Sequence, residues 1–111
     1  MDWAATQNNL GLAYRWLGAL DRAPAAFDQA EAAFALCLTE RRQDTVPFLW
    51  ASTQWNLADL AFARFDLTAD PGLLPIAIDH ASASRAVFAE GSDHQTEKCD
   101  TTLARIAALT P

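Results

Sequence analysis

The chain has 111 residues, 51% of them apolar, which suffices for one small domain with a buried core and argues against disorder. Its formal net charge of −6, with only Arg41 and Arg42 adjacent among the basic residues, disfavours nucleic acid and anionic membranes as partners. No apolar run is long enough to span a bilayer, and the N-terminus lacks a signal-peptide pattern. We therefore expect a cytoplasmic protein with reduced thiols at Cys37 and Cys99.

The first predicted helix covers about residues 2–17. Asp2 suits its N-cap, and Gly18 suits the position just after its end. Apolar residues recur at intervals of three, four and seven, which places them on one helical face. This face, which we expect to point into the core, comprises Trp3, Leu10, Ala13, Tyr14 and Leu17.

The second predicted helix runs over about residues 24–42. Pro24 suits the first helical position, where its missing N–H costs nothing. Arg41 and Arg42 complement the negative end of the helix dipole. The apolar face expected in the core comprises Phe27, Ala30, Phe34, Cys37 and Leu38.

The remaining three helices are predicted over about residues 47–65, 71–90 and 92–109. Asp70 and Pro71 form a suitable N-cap and first helical residue for the fourth helix. Ser92 and Gln95 fit a capping box at the start of the fifth. No strand-like alternation occurs, and the short linkers predict that consecutive helices pack as antiparallel hairpins.

One phrase occurs twice in the chain. Residues 3–10 read WAATQNNL and residues 50–57 read WASTQWNL, with six of the eight positions identical at an offset of 47 residues. Pro71 and Ala77 follow Pro24 and Ala30 by the same interval. A fixed period of this length is typical of stacked helical repeats. We therefore predict a single domain, 1–111, with repeat one at about 2–42, repeat two at about 47–90 and a capping helix at about 92–109.

These residues resemble the tetratricopeptide repeat family. The first repeat matches its pattern at Leu10-Gly11, Tyr14, Leu17-Gly18, Ala30, Phe34 and Cys37-Leu38. The second matches more weakly, at Leu57-Ala58, Ala61, Ala77, Ala81 and Ser84. The period exceeds the usual ~34 residues and is closer to long bacterial and kinesin-light-chain-like variants. The resemblance implies an all-α, right-handed helical-repeat solenoid of about five helices that binds other proteins. Since the chain starts directly in a repeat, it is interpreted as part of a longer array.

The resemblance also implies a concave groove lined by the first helix of each repeat. Carried over by position, the residues expected to bind a partner are Asn9, Leu12, Arg15, Trp16, Trp55, Asn56, Asp59 and Phe62. Several of them are apolar yet lie off the main core stripe, and a second apolar stripe implies a second burial partner. Packing between the repeats, or against the fifth helix, is the alternative role for these side chains.

Asn9 and Asn56 occupy positions at which relatives hold the terminal carboxylate of a peptide. Lys98 and Thr102 fall near the equivalent positions of the fifth helix, but Ala5 stands where a lysine is expected. Hydrogen bonding inside the solenoid is therefore the favoured role for both asparagines. A structural hydrogen bond across the repeats is likewise expected for each of the amides that follow a threonine, Gln7 and Gln54.

Motifs for chemistry are missing from the sequence. His94 and Cys99 are five residues apart, which is not a helical ligand spacing, and no phosphate-binding loop or nucleophile motif occurs. We therefore predict no catalytic residues, no metal and no cofactor, and a module whose partner is a protein or peptide. The alternative is self-association, with the groove or an uncovered end at Trp3 and Tyr14 filled by a second copy, as in a homodimer. A small ligand-binding or enzymatic helical bundle is a more remote interpretation.

Overall fold

The computed structural model describes residues 3–109, which form helices joined by short turns. The helices are α1 (Trp3–Asp21), α2 (Pro24–Glu40), α3 (Pro47–Thr68), α4 (Leu73–Phe88) and α5 (Asp93–Leu109). The prediction of five helices and an all-α class is confirmed for this range. The predicted N-cap, Asp2, lies outside the described residues. Within 3–109, no helix combines the length and the apolar character that a membrane crossing requires.

The end of α1 differs from the prediction. Gly18 is a buried residue inside the helix, which continues to Asp21. A Cβ atom on Gly18 would lie 2.6 Å from Cδ1 of Phe27, so this glycine permits close approach of α2 and does not terminate α1. The chain reverses at Arg22, whose φ of 50° is left-handed, and Pro24 then opens α2 as predicted.

The other helix ends follow local hydrogen bonds. Helix α3 continues past Phe65 to Thr68 and stops where Ala69 adopts a left-handed conformation. Helix α4 starts at Leu73, later than predicted, and the predicted N-cap, Asp70, accepts a hydrogen bond through Oδ1 from the N–H of Gly72, at 2.9 Å. Oγ of Ser92 accepts a hydrogen bond from the N–H of Gln95, at 3.3 Å, which confirms Ser92 as the N-cap of α5.

The helices form two layers. Helix α1 packs on α2, α3 packs on α4, and α5 packs mainly on α4. Helix α3 also contacts α1, α2 and α5, so α1, α3 and α5 lie side by side in one layer and α2 and α4 occupy the other. The extents of 35 × 32 × 19 Å agree with this arrangement, since the shortest is about two helix diameters.

Burial repeats with the same 47-residue interval as the sequence. Four of the five buried side chains of α2, Phe27, Ala30, Phe34 and Cys37, are matched in order by Leu74, Ala77, Ala81 and Ser84 of α4. The fifth, Ala33, corresponds to the half-buried His80. In the other layer, two of the three buried residues of α1, Ala4 and Gly11, are matched by Ala51 and Ala58, whereas the buried Leu60 corresponds to the exposed Ala13. The predicted core face of α2 is confirmed, with Leu38 only half-buried. The 47-residue period therefore extends to the burial of α2 and α4 and, in part, to that of α1 and α3.

The predicted core face of α1 is wrong. Trp3, Leu10, Ala13 and Leu17 are exposed, and Tyr14 alone of the five packs, half-buried, against a core cluster. Helix α1 instead turns its small residues, Ala4, Gly11 and Gly18, toward the protein interior. The apolar side of α1 is exposed because α2 packs against the small-residue side and no described helix covers the apolar side.

The core consists of three clusters of buried side chains. The first joins α2 to α3 through Phe27, Ala30, Phe34, Leu60 and Ala63. The second joins α3, α4 and α5 through Ala51, Val87, Phe88 and Cys99. The third joins the same helices further along, through Ala61, Leu74, Ala77 and Ile106. Helix α3 contributes to all three clusters and is the central element of the molecule.

Candidate interaction face

Helices α1, α3 and α5 present one continuous surface, here named the α1–α3–α5 face. Polar side chains link α1 to α3 across it. Asn56 donates a hydrogen bond from Nδ2 to Oδ1 of Asn8, at 2.9 Å. Arg15 forms an ion pair with Asp59, with 2.7 Å between Nε and Oδ2, and both side chains are about three-quarters buried. Three predicted groove residues, Arg15, Asn56 and Asp59, therefore lie at the boundary of these two helices.

Cations from α5 cover aromatic rings of α3 on this face. Nζ of Lys98 lies 4.2 Å from the ring centroid of Trp55, and Cζ of Arg105 lies 4.6 Å from that of Phe62. Such contacts contribute about 0.5–2 kcal/mol each, depending on how well they are desolvated. Both rings also pack, half-buried, against core clusters. The two aromatic residues expected to bind a partner therefore also fasten α5 to α3.

The remaining predicted groove residues belong to α1. Leu12 is half-buried and packs against the first core cluster. Trp16, one turn further along, is 62% exposed. Asn9 is also exposed. The sequence repeat aligns Asn9 with Asn56. In the structure, however, Asn56 is hydrogen-bonded to Asn8, so the two bonded residues occupy different positions of the repeat.

A shallow cleft opens where α3 meets the start of α5. Its walls carry hydrogen-bonding groups and one exposed cation, and they comprise Ser52, Trp55, Asn56, Phe88, Gln95 and Lys98. The Nε1 atom of Trp55 is buried and has no hydrogen-bond partner among the described residues. Lys98 is the only lysine in the sequence. An ammonium, side-chain amides and an indole ring are thus gathered at one place, which suits carbonyl or carboxylate oxygens beside an apolar group.

Sequence reasoning did not predict the contact of Arg105 with Phe62 or the hydrogen bond between Asn8 and Asn56. A signal for Arg105 was present, because Lys98 and Arg105 are seven residues apart, as are Trp55 and Phe62. Residues seven apart lie on the same side of a helix. When the two helices lie side by side, the cations of α5 and the rings of α3 have the same spacing, and each cation lies opposite a ring. Nothing comparable in the sequence distinguished Asn8 from Asn9.

The predicted amide of Gln54 bonds within the second helix pair. Its Oε1 accepts a hydrogen bond from Nδ1 of His80 on α4, at 2.6 Å. Burial lowers the pKa of His80 below its usual 6.5, with Asp79 and Glu31 acting in the opposite direction. Gln54 and His80 therefore form a structural pair between α3 and α4, and not the bond across repeats that was expected.

Both cysteines are buried thiols that contact hydroxyl groups. Cys37 Sγ lies 3.5 Å from Oγ1 of Thr53, and Cys99 donates from Sγ to Oγ of Ser84, also at 3.5 Å. Ser84 in turn donates to the carbonyl of Ala51, at 2.8 Å. Burial raises the pKa of the Cys99 thiol. Among residues 3–109, no group of three or more His, Cys, Asp or Glu side chains is arranged to hold a metal ion.

No protein-family model, no curated protein and no solved structure matches the chain. A function is therefore inferred from the chemistry of the α1–α3–α5 face and of the surfaces around it.

Proposed function

We propose that this chain is a tetratricopeptide-like helical-repeat module that binds a protein or peptide on the α1–α3–α5 face. The 47-residue period in both sequence and burial supports a stacked-repeat architecture, in which α1–α2 and α3–α4 are the repeats and α5 is the cap. Repeat proteins of this kind bind through an extended surface and do not enclose a reaction.

The observation that carries the proposal is the cleft beside Trp55. Lys98, Asn56 and Gln95 supply hydrogen-bond donors there, while the Trp55 ring supplies apolar contact area. The chain is acidic overall, so Lys98 is a local exception that favours an incoming carboxylate or backbone carbonyl. Exposed Trp16 on α1 extends the same face with an aromatic side chain, the residue type that most often anchors an interface.

The test uses peptides selected from a random display library against the folded chain. We expect Lys98→Met and Trp16→Ala each to weaken the selected peptide by tenfold or more, the effect of losing about 1.4 kcal/mol of binding free energy. Neither side chain belongs to the buried core, so both variants should fold. Trp55→Ala is a poorer test, because Trp55 also packs against the second core cluster.

Leu36→Ala is the matched control, since Leu36 is exposed on α2 in the opposite layer. Its affinity for the same peptide should equal that of the wild type. Lys98 also offers a direct probe, because methylation of lysine side chains with a ¹³C label marks this residue and the N-terminus alone. A peptide that leaves the Lys98 methyl signal unshifted, and binds both variants normally, would show that the face is not the binding site.

A further inference from the structure

Helix α1 carries an exposed apolar stripe on the side away from α2 and α3. We name it the α1 seam, and it consists of Trp3, Leu10, Ala13, Leu17 and Leu20, with the half-buried Thr6 among them. The steps between these residues alternate between three and four, which is the spacing of the a and d positions in a coiled coil. The four large side chains are between 41% and 71% exposed. No charged residue occurs in the seam.

The equivalent stripe of α3, 47 residues further on, is covered by a helix. Thr53 contacts Cys37 of α2, and Leu60 packs in the cluster that contains Phe27 and Phe34 of α2. The stripe of α5 is covered in the same way by α4. There Cys99 bonds to Ser84, and Ile106 packs with buried side chains of α4. The stripe at this position is therefore covered by a helix in both α3 and α5, whereas the large side chains of the α1 seam are exposed and no helix among residues 3–109 covers them.

Charge decides which kind of helix fits the α1 seam. On α3, the position equivalent to Leu17 is Arg64, which forms ion pairs with Asp28 and Glu31 of α2, at 2.9 and 3.1 Å. A helix like α2 would bring those carboxylates onto α1, where Leu17 offers no cation. The outer side of α5 is equally unsuitable, because its exposed residues include Asp93, His94, Glu97 and Asp100. A second α1 seam brings no charge onto the first, and its large and small side chains are arranged so that the two seams complement each other.

We propose that two copies of this chain pair through their α1 seams as an antiparallel helix dimer. The seam is symmetric about its midpoint, so Trp3 faces Leu20 of the second copy, Thr6 faces Leu17, and Leu10 faces Ala13. Each large side chain at the centre then meets a small one, as close helix packing requires. The contact is isologous, so it closes at two copies and leaves no seam open for a third.

The exposed area agrees with a modest interface. The four large side chains expose on the order of 400 Å² of apolar surface. At the ~60% apolar content of protein interfaces, this corresponds to about 650 Å² per copy, near the lower limit for specific complexes. A dimer with micromolar affinity is expected. The Lys98 cleft is lined by residues of α3, α4 and α5 and by none of α1, so the proposed dimer does not depend on that cleft.

Light scattering across a concentration series tests the dimer. The molar mass of the full chain should rise from 12.1 kDa toward twice that value as concentration increases to about 200 µM. Leu17→Glu should remain at the monomer mass throughout, and Leu36→Glu, an equally exposed site on α2, should behave as the wild type. Circular dichroism checks that the variants fold, with Leu20→Glu as a second seam variant. A wild-type monomer at every concentration, or a dimeric Leu17→Glu, would overturn the proposal.

Disulfide trapping tests the antiparallel register. An equimolar mixture of Leu10→Cys and Ala13→Cys chains should crosslink faster than either chain alone, because residue 10 faces residue 13 of the other copy. The native cysteines are buried and should not take part in the crosslinking. Faster crosslinking of each variant with itself would indicate a parallel pairing and would contradict the proposed arrangement.

Discussion

Two glycines of α1 determine how closely α2 approaches. A Cβ atom on Gly11 would lie 2.5 Å from Cε1 of Phe34, and one on Gly18 would meet Phe27 at 2.6 Å. At the equivalent positions of the second repeat, the side chains have different volumes. There Ala58 replaces the glycine, and Ala81 replaces the phenylalanine that it faces. The two changes have opposite signs but unequal sizes, since Ala58 adds one methyl group and Ala81 lacks the phenyl ring with which a methyl group on Gly11 would clash.

We expect Gly11→Ala to destabilise the protein by about 1–3 kcal/mol, because the fully buried Phe34 ring has no room to move. Intrinsic helix propensity alone would favour alanine by about 1 kcal/mol, so the two effects have opposite signs. Urea unfolding measures the free-energy difference. Repeating the substitution in a Phe34→Leu background should reduce its cost, since the smaller side chain relieves the clash. A Gly11→Ala chain as stable as the wild type would show that α1 and α2 can separate.

At the scale of the helices, α5 is held by few contacts. Only Cys99 and Ile106 of this helix are fully buried, and most of its remaining surface is polar. The cation–π contacts of Lys98 and Arg105 add attachment to α3 on the exposed side. Because α5 has so little apolar area to bury, a single side chain carries much of its docking energy.

Ile106→Ala should therefore cost about 2–4 kcal/mol and loosen α5 before the rest of the molecule. Hydrogen exchange followed by mass spectrometry should report faster exchange in residues 93–109, with smaller changes in α2. Leu109→Ala serves as the control, because Leu109 is exposed near the end of the same helix. Equal acceleration in α2 and α5 would mean that α5 does not open independently.

For the molecule as a whole, α3 is the element on which every cluster depends. It contributes Leu60 and Ala63 to the first core cluster, Ala51 to the second and Ala61 to the third. Hydrogen bonds and ion pairs from α1, α2 and α4 also end on α3. Removing the outer helices leaves α3 with part of its core, whereas losing α3 removes part of all three clusters.

Native-state hydrogen exchange should consequently find the slowest amides in the middle of α3, at about residues 51–63. Exchange in α1 and α5 should proceed through smaller openings that have lower free energies than global unfolding. Exchange rates in α3 that match those of α5 would contradict the central role of α3. The comparison is best made at low protein concentration, where pairing through the α1 seam does not protect α1.

The sequence by itself determined the helices and their period. Capping residues, prolines and apolar spacing depend on neighbours within a few positions, and the repeated phrase reveals the 47-residue interval directly. Ser92 was identified as an N-cap and the core face of α2 was identified correctly for this reason.

Only the tertiary structure decided which faces are covered. The stripe containing Leu10 and Leu17 has the same pattern as the buried stripe of α3, and no local rule distinguishes them. Its exposure follows from α2 lying on the glycine side of α1 and from no described helix lying on the other. The choice of Asn8 over Asn9, and the covering of Trp55 and Phe62 by α5, have the same origin. Burial is a property of a side chain and its neighbours together, so the local pattern predicts a face but not its occupant.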